Sequence, residues 1–295
     1  MNNIVSLMKN LAPKEGLNKT NLEDVTIFKT SSYRHREPLC YKQGLMFIGQ
    51  GKKRVYLDEK VYEYDQDNYL LMSVPLPAEC ETISNEDEPV LLLMIEFDYP
   101  MLSQIVSQIN EYRSDLINIS KVESVALTIL PRQKKLNELL LKLLKCLQNP
   151  LESKVLGHGF LKELMFYILC QKESKMLYSL LTQNSNLSRI DKALKLIHNN
   201  YNKILNVENL AKIAGMSSSS FHRNFKELTA SSPIQYIKKI RLDKARTLLI
   251  QKDYRVTEVA KKVGYESSSQ FSREFKRYFA VTPADYAKSI KTKEN

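Results

Sequence analysis

Apolar residues along this chain follow three successive rhythms. A short amphipathic start places Ile4, Leu7, Met8 and Leu11 at helical spacing. From about Asp24 to Asp98 β-forming residues dominate, punctuated by Gly and by Asp or Asn. There KRVYL and KVYEY flank Asp58 and Glu59, which predicts a hairpin, while YLLMSV and VLLLMIEF predict buried strands. From about Pro100 the period turns helical. Leu136, Leu139, Leu140, Leu143, Leu144 and Leu147 recur at three and four before Pro150, and a further helix is predicted from roughly Leu156 to Leu181. The polar stretch TQNSNLS, from Thr182 to Ser188, is the best linker candidate, and everything after it is predicted helical.

The helical end of the chain contains a repeat. FHRNFKELTASSPIQYI from Phe221 is echoed by FSREFKRYFAVTPADYA from Phe271, and NVENLAKIAGM from Asn206 by VTEVAKKVGYE from Val256. Each copy predicts a helix, a tight turn at Gly215 or Gly264, and a second helix, with Gly supplying a left-handed helix end. Asn206 and Thr257 are predicted N-caps, Glu208 and Glu258 suit the positive helix ends, and Ser267 with Gln270 has capping-box spacing. Pro233, following Ser232, starts a connecting helix to about Ile250.

At 100° per residue, Phe221, Phe225 and Leu228 share one stripe of the second helix, as do Phe271, Phe275 and Tyr278. The opposite face carries Ser219, His222, Arg223 and Lys226 in one copy and Ser269, Ser272, Arg273 and Lys276 in the other. A narrow helix with small polar residues, one Arg and one Lys fits a DNA major groove, where Arg reaches guanine, Ser or Gln other base edges, and Lys a phosphate. Such a face is also what any solvated helix presents, and the duplication weighs for binding. The connecting helix would span about 27 Å, near the roughly 34 Å between successive major-groove faces on one side of DNA. Lys238, Lys239 and Arg241 on it are candidate phosphate contacts, with an internal ion pair the alternative for Arg241.

Charge sharpens this picture once it is located. From Arg189 onward there are 22 basic and 10 acidic residues, against 22 and 23 before it, so the whole net charge of +11 comes from the C-terminal third. A basic module joined to a near-neutral one points to a polyanion as partner. The 295 residues, 43% hydrophobic and 26% charged, predict two globular domains and not a disordered chain. The N-terminus lacks a signal-length apolar segment, and no apolar run approaches the roughly 20 residues that cross a bilayer, so a cytoplasmic protein without membrane contact is expected. Cys40, Cys80, Cys146 and Cys170 are too widely separated for a zinc or redox motif. Buried structural thiols are the default for them, with redox sensing by Cys40 or Cys80 the alternative.

From Ser188 to Lys291 the chain resembles the DNA-binding domain of AraC/XylS-type transcription regulators, through ENLAKIAGMSSSSFHRNFKELTASSPIQYIKKIRLDKARTLL and EVAKKVGYESSSQFSREFKRYFAVTPADY. The resemblance implies that residues beside the first inward aromatic of each second helix face bases. It adds Ser268 and Gln270 to the set. YKQGLMFIGQGKKRVYLDEKVYEYDQDNYLLMSVPLPAECE from Tyr41, with IEFD at Ile95 and LLKLLKCLQNP, is similar to the β-barrel sensor of a subset of these regulators.

The fold class so implied is α+β in two domains. Residues 1–183 would form a cupin-like jelly roll with accessory helices for sensing or dimerisation, and residues 189–291 an all-α double helix-turn-helix. Double-stranded DNA is the implied partner. A small-molecule effector, RNA polymerase and a homodimer partner are further candidates. Tyr56, Tyr62 and Tyr64 alternate on the hairpin strands and are read as ordinary core or surface packing, with lining of an effector pocket the alternative. No cofactor is implied. Metal cupins use clustered His and Glu, whereas His35 is the only histidine before His158, which counts against a metal enzyme. Two rival readings remain open: an N-terminal cupin-type enzyme tethered to DNA, for which no catalytic motif is present, and a non-specific architectural or RNA-binding protein.

Overall fold

The computed structural model describes residues 2–84, 87–112, 125–171, 174–181, 185–250 and 254–291. The chain divides into two compact units. Met1–Arg36, Lys42–Leu76 and Cys80–Ser188 form one, and Arg189–Asn295 with the short segments Glu37–Tyr41 and Pro77–Glu79 the other.

The first unit opens with helix α1 (Asn2–Leu11) and is jelly-roll-like. Strands β1 (Gly16–Lys19), β2 (Val25–Thr30), β4 (Gly44–Gln50), β7 (Asn68–Met72), β9 (Val90–Glu96) and β10 (Leu127–Pro131) make a six-stranded sheet in the order β1-β2-β9-β4-β7-β10. Its paired strands run antiparallel. One face of this sheet, with Ile27, Leu45, Phe47, Tyr69, Leu71, Leu93 and Ile95, joins the same apolar core as helices α1, α2 (Tyr99–Tyr112), α3 (Lys134–Cys146) and α4 (Pro150–Leu169). The other face faces a four-stranded sheet, β3 (Arg34–Tyr41), β8 (Leu76–Ile83), β5 (Lys52–Leu57) and β6 (Lys60–Tyr64), as the approach of Lys53 to the Phe28 ring at 5.1 Å records. A sheet covered on both sides must be apolar at odd and even positions alike, which is why GLMFI, YLLM and VLLLMI are unbroken runs.

The predicted hairpin is β5–β6, with Tyr56 opposite Val61 and Tyr62 opposite Val55, and Asp58 takes the left-handed conformation at the turn (φ 54). This register separates the three tyrosines. Tyr62 and Tyr64 share the inward face with Val55 and Lys53, whereas Tyr56 points outward, where its hydroxyl donates to Glu81 at 2.6 Å and Arg36 stacks over its ring. The predicted stripe on α3, Leu136, Leu139, Leu140, Leu143 and Leu144, is buried in the core of this unit, so it is already covered. Cys80 is buried, and burial pushes the Cys40 thiol above its ordinary range, which disfavours the reactive thiolate there.

Two expectations for this region need correction. LTILP, in the stretch read as helical, is β10, recruited by pairing with β7 from Leu127 opposite Met72 to Pro131 opposite Asn68. The helix expected from Leu156 to Leu181 is two helices, α4 and α5 (Lys175–Leu181). The first begins six residues earlier because Asn149 caps it, accepting from the backbone N–H groups of Leu151 (2.9 Å) and Glu152 (3.2 Å). Gly157 and Gly159 weaken its helical signature. Beyond it, Gln171 accepts a hydrogen bond from the Tyr69 hydroxyl at 3.0 Å.

The second unit is helical: α6 (Asn186–Asn200), α7 (Val207–Ile213), α8 (Ser218–Thr229), α9 (Pro233–Ile250), α10 (Val256–Lys262), α11 (Ser268–Phe279) and α12 (Pro283–Lys291). The expected linker is shorter than its composition implies. Thr182–Asn184 lie outside the described residues, and Asn186–Ser188 already belong to α6, where the Ser185 hydroxyl accepts from the Ser188 N–H. Both predicted glycine turns are present, with φ of +61° at Gly215 and +87° at Gly264. A methyl group on Gly264 would lie 2.6 Å from the Asn202 carbonyl oxygen, whereas on Gly215 the nearest atom is the movable end of Arg189 at 3.3 Å.

Both Gly→Ala substitutions impose left-handed strain of about 1 kcal/mol or more, and Gly264→Ala adds a clash with fixed backbone. Urea unfolding followed by circular dichroism should therefore show Gly264→Ala as the more destabilised of the two, by at least about 1 kcal/mol.

Candidate nucleic-acid interface

Each copy of the repeat folds as a helix-turn-helix whose second helix is fixed in rotation by aromatic burial. In the first copy Phe221 and Phe225 are fully buried, with ring centroids 5.3 Å apart, and Tyr236 of α9 meets Phe225 edge-on at 5.4 Å. In the second, Phe271 and Phe275 are fully buried at 5.6 Å, and Tyr286 of α12 meets Phe275 at 5.9 Å. The repeated Phe, Phe and Tyr thus form the same edge-to-face lock twice. The helix starts are also set alike: the Ser217 hydroxyl accepts from the Ser220 N–H at 3.3 Å, and the Ser267 hydroxyl from the Gln270 N–H at 3.2 Å. Both second helices end on a left-handed alanine, Ala230 (φ 51) and Ala280 (φ 62).

With the aromatics inward, the predicted residues fall on the outer faces. Ser219, His222, Arg223 and Lys226 are exposed in the first copy. Ser269, Gln270, Arg273 and Lys276 are exposed in the second, while Ser268 and Ser272 are half-buried. Arg277 is exposed on the same face as Arg273, one turn on, and the sequence reading omitted it. Its counterpart in the first copy is Glu227, so a search for shared residues passes over it.

Three local expectations are revised. The first helix of the second copy starts at Val256 after Arg255, so Thr257 lies inside it, and the Glu258 carboxylate accepts from the Arg255 N–H at 2.8 Å. Asn206 does cap its helix, accepting from the Glu208 N–H at 2.7 Å. Ser267 makes its half of the capping box, and the Gln270 amide is engaged along the helix instead, donating to Glu274 at 3.2 Å. The cations of α9 are engaged within the unit: Lys238 pairs with Glu274 at 3.0 Å, Lys239 donates to the Ser231 hydroxyl at 2.9 Å, and Arg241 donates to the carbonyls of Tyr201 (2.7 Å) and Lys203 (2.9 Å). Arg241 is therefore a strut between α9 and the chain after α6, held by carbonyls, with no ion pair to it among the described residues.

Beneath the first copy, His198 of α6 shares a hydrogen bond of 2.9 Å with the Tyr236 hydroxyl. Burial, aided by the Lys244 charge, pushes the His198 imidazole down to about 4. Among the described residues no group of three or more His, Cys, Asp and Glu is placed to hold a metal, and no helix is long and apolar enough to cross a membrane.

Comparison with known proteins places the chain in a family. The pattern described as AraC-type transcriptional regulator N-terminus matches residues 21–176, and a helix-turn-helix domain pattern matches residues 210–289. The chain belongs to the AraC-type transcriptional regulators. Among curated relatives, the lactose operon transcription activator of Staphylococcus xylosus is 26% identical over 133 residues, 45% of this chain and 47% of that protein. The HTH-type transcriptional activator Btr of Bacillus subtilis is 28% identical over 88 residues, 30% of this chain and 17% of that protein. The chain thus spans about half the length of the first and less of the second. ToxT of Vibrio cholerae, solved with an unsaturated fatty acid bound, superposes with a TM-score of 0.61 at 14% identity, over 89% of this chain and 94% of that one. That likeness is one of fold, a β-rich N-terminal domain followed by a helical helix-turn-helix domain.

The low His198 value has a measurable consequence. The imidazole is neutral in the fold but takes up a proton near pH 6.5 once unfolded, so its contribution is complete above that pH and lost as the pH falls toward 4. The loss should be roughly 3 kcal/mol between pH 7 and pH 4. Denaturant titrations across this range should show it, and this part of the acid-side loss should be absent in His198→Gln.

Proposed function

We propose that this chain is a sequence-specific DNA-binding transcription regulator in which each helix-turn-helix enters one of two successive major grooves. The observation that carries this reading is the pair of equivalent outward faces, Ser219, His222, Arg223 and Lys226, and Ser269, Ser272, Arg273 and Lys276 with Ser268 and Gln270. An 18-residue helix joins the two, about 27 Å long. Arg223 and Arg273 read bases, the serines and Gln270 contact base edges, and Lys226 and Lys276 neutralise phosphates. Arg277 joins the second set. Residues 189–291 serve as the reader and residues 1–183 as the sensor, in a non-enzymatic protein of the cytoplasm. RNA polymerase and a second copy of the chain are its further protein partners.

Binding titrations against a selected site and its single-base variants test this. Arg223→Ala and Arg273→Ala should each relax preference at different positions, by about 1–3 kcal/mol. Lys226→Ala and Lys276→Ala should weaken all sequences evenly and lower the salt slope by about one each. Equal affinity of the unaltered chain for a selected site and random duplex at fixed salt would refute the reading.

The sensor is proposed to take an acidic effector with an apolar body. Lys53 faces the interior between the two sheets and is 4% exposed. Its ammonium donates to the Thr82 hydroxyl at 2.9 Å and lies 5.1 Å from the Phe28 ring, with no carboxylate beside it among the described residues. A buried ammonium without a counter-charge is costly, and an incoming carboxylate would relieve that cost. Calorimetry with a long-chain carboxylate and the matching alcohol should show at least about tenfold preference for the acid, lost in Lys53→Met. Equal binding of acid and alcohol would remove Lys53 from this role.

A further inference from the structure

We propose that Glu274 is a positioning residue that presets Gln270 to read adenine, making the second helix-turn-helix a stricter reader than the first. This inference rests on the reading of α11 as a base-contacting helix. The Glu274 side chain is only 13% exposed, and three donors from three parts of the fold converge on it. Lys238 of α9 donates to its Oε1 at 3.0 Å and the Tyr265 hydroxyl, in the turn after α10, to its Oε2 at 2.9 Å. The third donor is the Gln270 amide, Nε2 to Oε1 at 3.2 Å, one helical turn earlier on α11. Two of these ties anchor the carboxylate, and the third uses it to hold an exposed side chain on the outer face.

The chemistry of an amide gives this tie a direction. Glutamine presents two N–H donors on nitrogen and a carbonyl acceptor on oxygen. With one N–H given to Glu274, the amide cannot flip without turning its own carbonyl oxygen against a carboxylate. One N–H and the carbonyl oxygen therefore remain in a fixed order. That ordered pair matches adenine, whose N7 accepts and whose N6 amino group donates in the major groove. Guanine offers two acceptors there, O6 and N7, and leaves the carbonyl oxygen unpaired. Rotamer freedom that an untethered glutamine would lose on binding is already gone.

The first copy lacks this arrangement. The residue equivalent to Gln270 is Ser220, and that equivalent to Glu274 is Asn224, whose amide donates to the Ser220 carbonyl at 2.8 Å and to the Ser220 hydroxyl at 3.1 Å. A neutral amide and a short hydroxyl there face each other at the helix start, so no long side chain is held out toward a groove. The duplicated scaffold thus carries one reader with a preset amide and one without.

The test is a double-mutant cycle on the full chain, reading relative affinities for a selected duplex and its single-base variants. Glu274→Ala should lower the preference for adenine at one base position roughly tenfold. Preferences at the positions read by Arg273 and by the first helix-turn-helix should stay as they were. Gln270→Ala should give the same loss at the same position, and adding Glu274→Ala to it should change base preference no further. Glu274→Gln, which keeps an acceptor oxygen for the Gln270 amide, should retain part of the preference and guards against a variant that simply fails to fold. A Glu274→Ala protein that weakens every sequence evenly, with or without Gln270, would overturn the inference and reduce Glu274 to a structural tie. If the unaltered chain prefers no sequence at all, it is the DNA-reading proposal that fails; if it does and Glu274→Ala keeps the adenine preference, the inference alone fails.

Discussion

Burial of two phenylalanines per repeat is the constraint on which the second unit turns. A helix has one rotational degree of freedom about its axis, and Phe221 with Phe225, or Phe271 with Phe275, removes it by sinking one stripe into the core. The tyrosine of the following helix closes over the second ring at 5.4 or 5.9 Å. Everything on the opposite stripe is then presented to solvent as a consequence. Such burial is worth on the order of 2–3 kcal/mol per ring, far more than any rim contact of a serine or lysine. The outward residues can therefore vary in chemistry while the presentation stays fixed.

In the first unit the equivalent constraint is a sheet with no wet face. Helices cover one side and a second sheet the other, so a polar side chain placed there needs a local reason. Lys53 of β5, in the facing four-stranded sheet, is such a case: from Lys52 to Tyr56 that strand alternates half-buried and buried residues as a half-exposed sheet should, yet this ammonium takes one of the inward places, toward Thr82 and Phe28. The outer face of the same sheet holds a different network, in which Glu81 accepts from Tyr33, Tyr56 and Arg54. Two chemistries are kept apart by the two-residue period of one strand, with Lys53 and Val55 on one side of β5 and Arg54 and Tyr56 on the other.

Much of this was legible because it repeats or alternates locally. The paired helix-turn-helix motifs, both glycine turns, the span of α9 and the β5–β6 hairpin follow from spacing within a few residues. What escaped the sequence depends on partners far along the chain. LTILP becomes a strand only because β7, far earlier in the chain, offers an edge, with Leu127 opposite Met72 and Pro131 opposite Asn68. The Lys238, Lys239 and Arg241 side chains look like phosphate contacts until Glu274, Ser231 and the carbonyls of Tyr201 and Lys203 claim them. Arg277 was lost for the opposite reason, since comparing two copies rewards what they share and Glu227 hides it. Which face of the hairpin each of Tyr56, Tyr62 and Tyr64 takes was not legible as a group either, because the register across the turn and not nearness in sequence decides it.

The uninterrupted α9 fixes phase as well as distance. A residue inserted anywhere along it would advance the following motif by about 1.5 Å but also swing it through about 100°, turning Arg273 away from the direction it now faces. Length in this helix is therefore quantised: the cheap changes are substitutions, and the first insertion that restores the facing is a whole turn or more. A chain built this way can vary the residues on its two outward faces readily, yet it is nearly unable to change the spacing between those faces.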